Sequence, residues 1–322
     1  MKILLTGSIA YDYLMVFPGH FRDHFLPDRL DKISLSFLVE SMSRLRGGVA
    51  PNIAYSLALL GERPYIWGAV GEDFEDYRRW LDEQGVDTRG AQVIPGLFTA
   101  SFFVTTDRDN AQIASFYPGA MAHSGQLSLA ALQAEPPDLV IISPNDPGAM
   151  HQYVDECKQF GFPYLYDPSQ QIVRMTGEEL EHGICGARAL FVNDYEFALV
   201  QKMTGLQVED ILANGPETFV VVTRGKEGAD IYSHDGLVHA PAFPTDQVVD
   251  PTGVGDAFRG GFLTGYGRGF DWLTCGQIGS LAAAYCLENC GPQGHAYTRA
   301  EFVRRFRTVF DDGGRLDALL TA

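Results

Sequence analysis

Apolar residues in this chain come mostly in short, unbroken runs. Residues 2–6, 65–70, 138–143, 163–167, 189–193 and 218–223 are such runs, each closed by polar residues or glycine. Runs of this length suit parallel strands covered on both faces. Between them the spacing turns helical: 51–60 stops at Gly61, 73–84 at Gly85 and 147–160 at Gly161. A glycine just past the last turn is the expected left-handed cap. Strand–helix alternation over most of the chain predicts a three-layer α/β domain with a mainly parallel central sheet. Beyond residue 255 the pattern is helical, with 271–288 the longest candidate.

Two regions break the rhythm. Residues 11–39 and 97–117 are β-rich, aromatic and alternating, with no helix between strands. Within the second, 99–105 and 112–117 joined through 107–110 read as a hairpin. These insertions predict a small β-sheet lid on a single domain spanning 1–322. In open parallel sheets ligands bind beyond the carboxyl ends of the strands. Those ends carry Gly7-Ser8, Asp167-Pro168-Ser169-Gln170-Gln171, Asn193-Asp194-Tyr195-Glu196 and Thr223-Arg224-Gly225, which therefore meet along one edge.

Composition narrows the class. A hydrophobic content of 46% with 20% charged residues is that of a globular protein. The net charge of −17, from 24 basic and 41 acidic residues, disfavours nucleic acid and anionic membrane as partners. Five cysteines without a CxxC pair point to free thiols in a reducing cytoplasm, with Cys286 and Cys290 read as buried core thiols. No run approaches the ~18 apolar residues of a membrane span.

The densest chemistry lies in Asp250-Pro251-Thr252-Gly253-Val254-Gly255-Asp256. A Gly-x-Gly turn opening a helix aims unpaired N–H groups outward, where the helix dipole also favours an anion. A carboxylate beside such a hole makes sense if it takes a proton from a hydroxyl attacking phosphorus. In isolation the same residues also make an ordinary capped turn. Asn193-x-x-Glu196 places two metal-friendly oxygens at a helix start, and serves equally as a capping pair. Residues 223–228 offer hydroxyl, cation and backbone donors to a nucleotide, or a hairpin turn. Gly47-Gly48 before a helix bearing Asn52 permits close backbone approach to a ligand, or is simply a turn.

Together these segments resemble the ribokinase-like, or PfkB, family of sugar and nucleoside kinases. Residues 47–54 look like its N-terminal glycine signature and 250–256 like its C-terminal signature. Residues 193–196 are similar to its Mg²⁺-associated Asn-x-x-Glu, and 223–228 to its nucleotide-phosphate segment. The chain departs from the usual second signature at Pro251 and Val254. Val254 adds bulk but keeps its N–H. Pro251 removes a donor near the place where some members bind a monovalent cation, which leaves potassium dependence open.

Within that family the chain looks most like adenosine kinases of actinobacterial type, through residues 7–12, 17–19, 34–39, 112–121 and 167–171. The resemblance implies that Asp12 binds the ribose hydroxyls with help from Gly48 and Asn52. It implies that Ser8, Ser36, Phe102, Phe116, Gln170 and Gln171 surround the purine. It assigns Asn193, Thr223, Arg224, Gly225 and Gly228 to the nucleotide, and Glu196 to Mg²⁺ through water. The resulting expectation is transfer of the γ-phosphoryl group of MgATP to the adenosine 5′-hydroxyl, with Asp256 as base and the N–H groups of Gly253, Val254 and Gly255 stabilising charge. A sugar acceptor, another nucleoside, or a non-catalytic nucleoside sensor are the alternatives. A homodimer through the lid also follows from the resemblance.

Overall fold

The computed structural model describes residues 1–25, 32 and 34–321; positions 26–31 and 33 of the expected first insertion lie outside the described residues. Among the described residues thirteen strands run in chain order as β1 (Ile3–Thr6), β2 (Ala10–Val16), β3 (Ser41–Gly47), β4 (Tyr65–Val70), β5 (Asp87–Val93), β6 (Ala100–Thr106), β7 (Gln112–Tyr117), β8 (Leu139–Ile142), β9 (Tyr164–Tyr166), β10 (Ala189–Asn193), β11 (Phe219–Thr223), β12 (Ala229–Ser233) and β13 (Gly236–Ala240). The larger sheet has the order β13-β12-β11-β10-β9-β8-β1-β4-β5. Its pairings are parallel from β11 to β5, and among the described residues only the β11–β12 and β12–β13 pairings are antiparallel.

The apolar runs explain the layering. Leu5, Ile141, Leu165, Phe191 and Val221 pack into one core, while their neighbours Leu4, Ile142, Tyr166, Val192 and Val222 pack into another on the opposite face. Each strand therefore buries both of its sides, as a parallel sheet between two helical layers requires. The first layer contains α1 (Val49–Leu59), α2 (Glu75–Glu83), α7 (Val254–Gly267) and α8 (Trp272–Leu287); the second contains α3 (Pro147–Phe160), α4 (Gly177–Ile184), α5 (Asp194–Thr204) and α6 (Val208–Leu212). Helices α9 (Arg299–Phe306) and α10 (Asp317–Leu320) cover α8 through a third cluster around Phe302, Phe306 and Leu319. Gly161 ends α3 with φ 69°, the left-handed cap its position predicts.

Helix α7 sits unusually close to its neighbours. A methyl group at Gly260 would meet Ile53 O of α1 at 2.9 Å, and one at Gly261 would meet Ile278 O of α8 at 2.7 Å. These two glycines are packing residues that let three helices converge where the active edge is built.

The smaller sheet has the order β3-β2-β6-β7. The hairpin of β6 and β7 matches the sequence pattern. Strand β3 does not, because Ser41-Met42-Ser43-Arg44-Leu45-Arg46 is polar and largely exposed and carries no apolar alternation. Strand β5 was missed for the same reason, being a polar edge strand. Cys286 is buried as expected, but Cys290 is exposed, because α8 ends at Leu287 and leaves it on the following loop.

Candidate active site

At the carboxyl ends of the parallel strands lies a cavity of about 340 Å³. Its lining comprises Asp12, Gly48, Val49, Asn52, Ser169, Gln170, Asn193, Glu196, Thr223, Thr252, Gly253, Gly255, Asp256 and Arg259. A larger cleft of about 550 Å³ opens at the opposite end of the sheet, around Lys2, Arg63, Asp87 and Arg89, and holds none of the candidate residues.

Two glycines shape the cavity. Gly48 precedes α1 with φ 94°, and a side chain there would collide with Ser8 O at 2.5 Å. Gly253 precedes α7 with φ 77°, and a side chain there would run into Pro292. Both helices thus begin with backbone N–H groups at the cavity wall. In α7 the first helical bond is Ala257 N to Gly253 O, 2.9 Å, while Val254 N reaches Pro251 O at 3.4 Å. Among the described residues, the N–H groups of Gly255 and Asp256 meet no backbone carbonyl. The Gly253 N–H likewise meets none among them, so within the Gly253–Gly255 set expected from the sequence only Val254 is engaged.

Asp256 lies in that first turn. Asn52 Nδ2 donates to its Oδ2 at 2.8 Å. The residue keeps partial contact with the cavity, yet its carboxyl group is enclosed by protein. Burial pushes its pKa up to about 7, against the opposing pull of Arg259 and the Asn52 bond. Arg259, one turn on, is buried and donates Nη2 to Asp167 Oδ1 at 2.7 Å. A methyl group at Gly255 would lie 2.8 Å from Arg259 Nη1, so the guanidinium rests directly beneath the open helix start.

Asp12, on β2 of the smaller sheet, is brought into the same cavity. Burial, and secondarily the charge of Asp250, raise its pKa to about 6. A methyl group at Gly47 would sit 2.6 Å from Asp12 Oδ2, so a larger residue there would push the carboxylate out of place. Asp250 itself accepts from Thr252 N and Gly291 N at 2.9 Å each, tying the turn before Gly253 to the loop after α8.

Asn193 and Glu196 form a reciprocal cap. Glu196 N donates to Asn193 Oδ1 at 2.7 Å and Asn193 N donates to Glu196 Oε2 at 2.8 Å. Both nevertheless line the cavity, so the capping and ligand readings coexist, with Oε1 outside the cap. Thr223 ends β11 at the wall. Residues Arg224 to Gly228 form the turn into β12, with Arg224 N donating to Gly228 O at 2.8 Å. Arg224 Nε donates to Asp230 Oδ2 at 2.7 Å, and neither it, Gly225 nor Gly228 lines the cavity.

Other expected residues lie apart. Ser8 accepts from Val49 N at 3.1 Å and so supports the start of α1. Ser36 is exposed. Gln171 is buried and donates Nε2 to Asn145 O at 2.8 Å. Phe102 and Phe116 face each other across β6 and β7, in register with Asp12 on β2, and Phe116 is 44% exposed. The three share one face of the smaller sheet, but the two rings do not line the cavity.

Sequence reading missed Arg259 and Gln293, and named Ser169 and Thr252 only within their segments, with no role of their own. Arg259 carried a signal, since three residues beyond Asp256 is the same helix face. Ser169 has φ 41°, a conformation rare outside glycine and concentrated at ligand sites, with nothing local to announce it. Gln293 reaches Asn52 only through the fold.

A family model described as pfkB family carbohydrate kinase matches residues 10–298. A nucleoside kinase of Methanothermobacter thermautotrophicus is 31% identical over 306 residues, covering 94% of this chain and 95% of the relative. A nucleoside kinase of Burkholderia thailandensis, solved in complex with inosine, is 41% identical with a TM-score of 0.82, covering 96% of this chain and 98% of that one. A nucleoside kinase of Methanocaldococcus jannaschii, a member of the ribokinase family, superposes with a TM-score of 0.83 at 28% identity, covering 96% and 99%. These similarities are to nucleoside kinases, a broader set than the actinobacterial adenosine kinases suggested by the sequence motifs.

Proposed function

The chain belongs to the pfkB carbohydrate kinase family, and we propose that it is a nucleoside kinase moving the γ-phosphoryl group of MgATP to the 5′-hydroxyl of a purine nucleoside. The observation that carries this reading is the position of Asp256. A carboxylate with a pKa of about 7 stands in the first turn of a helix whose open N–H groups face the cavity. A base poised near neutral pH is matched to proton abstraction from a hydroxyl, and adjacent donors suit charge on a phosphoryl group.

The other residues take roles by their chemistry. Asp12 accepts hydrogen bonds from both hydroxyls of the ribose, and Gly48 and Asn52 let the sugar approach the backbone. Arg259 supplies fixed positive charge under the transferring group. Glu196 would hold Mg²⁺ through water, since the ion uses few direct protein ligands, and the ion would supply neutralisation of phosphate charge there. Catalysis then rests on positioning and electrostatics.

Adenosine is the acceptor to which the sequence motifs point. Inosine is a second reading, supported by the Burkholderia thailandensis relative solved with that nucleoside. In both, Phe102 and Phe116 reach the base when the lid closes, and each stacking contact is worth ~1–3 kcal/mol. Met42, Phe103 and Ile113 lie exposed on the opposite face of the lid sheet; a homodimer pairing through the lid would cover them. Among the described residues no helix is long and apolar enough to cross a membrane.

The test is ADP release with MgATP and a panel of adenosine, inosine, guanosine, cytidine and ribose. Preference for adenosine or inosine supports the proposal and chooses between the two readings. Preference for ribose would reject the nucleoside assignment while keeping Asp256 as base. Silence on all acceptors with nucleoside binding intact would favour a sensor.

A further inference from the structure

Two groups of ligand-type side chains stand outside the cavity among the described residues: His20 with Asp107 and Asp109, and His151 with Asp155 and His182. The first is already committed. Asp107 accepts from Phe21, Asp109 and Ala111 backbone N–H groups, and Arg22 lies 3.0 Å from Asp109. An ion there would have to displace a cation and unmake a turn.

The second group is different. His151 and Asp155 stand one turn apart on α3, and His182 reaches them from the last turn of α4. His182 Nε2 lies 2.8 Å from Asp155 Oδ1, and His151 Nε2 lies 3.5 Å from Asp155 Oδ2. The two imidazoles stack with centroids 4.2 Å apart and planes 18° from parallel. One ligand atom from each of the three residues therefore falls within 4.8 Å of the others. Face-to-face imidazoles sharing one carboxylate cannot both be cations without repulsion.

We propose that His151, Asp155 and His182 bind a borderline divalent transition ion of the Zn²⁺ type, clipping α3 to α4. Two imidazoles and a carboxylate are ligands suited to such an ion, and turning the two rings out of their stack, so that both Nε2 lone pairs converge beside Asp155, brings them to the ~2.0–2.2 Å bond lengths it needs. His182 Nε2 is buried without a hydrogen-bond partner although it lies beside Asp155, and the ion satisfies it. Glu179 lines the same crevice; its Oε2 caps α4 at Thr176, leaving Oε1 or a water for the fourth position. Lys158 is the opposing charge, but its Nζ is engaged with His182 O at 2.8 Å. The clip has a structural consequence. Helix α4 follows directly on the Ser169–Arg174 turn that sets Ser169 and Gln170 on the cavity wall, so an ion here steadies that wall.

The proposal is independent of the acceptor's identity. The test uses the full chain without an affinity tag, stripped with chelator and titrated with ZnCl₂ by calorimetry, with Co²⁺ absorption and thermal unfolding as further readouts. The wild type should take up one ion per chain, give visible Co²⁺ bands and gain thermal stability. H151Q and H182Q should each weaken binding by more than the roughly 10–100-fold that loss of an outer partner costs, and lose the thermal gain. H20Q and the exposed-thiol variant C185S/C290S should bind as the wild type does. Should H182Q lower the ion-free Tm, H151Q carries the test, since His151 is half-exposed and makes the longer of the two approaches to Asp155. No uptake by the wild type, uptake indifferent to H151Q and H182Q, or uptake abolished by C185S/C290S would each overturn the site.

Discussion

Asn52 Nδ2 donates to Asp256 Oδ2 across 2.8 Å, joining the first turns of α1 and α7. The amide is oriented from behind. Gln293 Nε2 donates to Asn52 Oδ1 at 2.7 Å and to Tyr77 Oη at 2.6 Å, while Tyr77 donates to Gly47 O at 3.0 Å. With its oxygen committed to Gln293, Asn52 can present only its NH₂ to Asp256. A bond that favours the carboxylate form holds the pKa of Asp256 below where burial alone would set it. We expect Asp256→Asn to lower kcat by ~10²–10⁴-fold with nucleoside affinity little changed. Turnover at the wild-type level in that variant would remove Asp256 from the base role.

The same network fixes the pH dependence. Asp256 must be ionised to accept a proton, so kcat/KM should rise with pH through about 7 and level off above it. Asn52→Leu removes a stabiliser of the carboxylate, and its acid limb should move to higher pH. Gln293→Leu frees the Asn52 amide to turn, and should move the limb the same way by less. A pH–rate profile in which Q293L loses activity without any shift of the limb would make Gln293 a packing residue only.

Stability carries the opposite sign. The folded pKa of Asp256, about 7, exceeds the ordinary 3.8. Between those values the folded chain holds a proton that the unfolded chain has released, so this group costs stability as pH rises from about 4 to 7 and throughout above 7. Asp256→Asn removes the cost. Its Tm should exceed that of the wild type at pH 8, and the gap should close on going to pH 4. Equal Tm values at pH 8 would mean that the carboxylate is better solvated than its enclosure indicates.

Asp12 should act through binding. Its raised pKa, about 6, again reflects burial first and Asp250 second. The neutral acid accepts fewer hydrogen bonds from a diol than the carboxylate, so KM for nucleoside should climb as pH falls below 6. Asp12→Ala should raise KM by about 10–100-fold, the loss of one charge-assisted bond at ~1.5–3 kcal/mol, with kcat reduced much less. An unchanged KM would place the ribose elsewhere in the cavity.

How far the sequence reached follows from which forces act locally. The continuous apolar strands announced the larger sheet because both of their faces are buried, as Leu4 and Leu5 illustrate by entering different cores. Gly48 and Gly253 were legible because a positive φ at a helix start selects glycine. Strand β3 was hidden because a lid strand such as Ser41–Gly47 owes its pairing to β2 and not to its own hydrophobicity. Arg224 read as a phosphate ligand from its motif, but Asp230, six residues away across the β11–β12 turn, engages it. Gln293 was invisible as a site residue since its partner Asn52 lies far off in the chain, and Asp167, legible as a strand end, gave no sign of its distant partner Arg259.

The pair of Arg259 and Asp167 separates stability from catalysis. Both side chains are buried, Nη2 to Oδ1 is 2.7 Å, and Ser143 Oγ supports Asp167 Oδ2 at 3.3 Å. Arg259→Met strands the Asp167 carboxylate in the interior, which should destabilise the fold by ~3–5 kcal/mol. Adding Asp167→Asn removes the stranded charge, and an amide can still accept from Ser143, so the double variant should recover much of the lost Tm. Activity should not return with it, because the guanidinium beneath Gly255 is gone in both. Denaturant melts and ADP-release rates on the two variants give the result directly. Recovery of turnover alongside Tm would show that Arg259 serves the fold alone, and an R259M variant as stable as the wild type would show that Asp167 finds its compensation elsewhere.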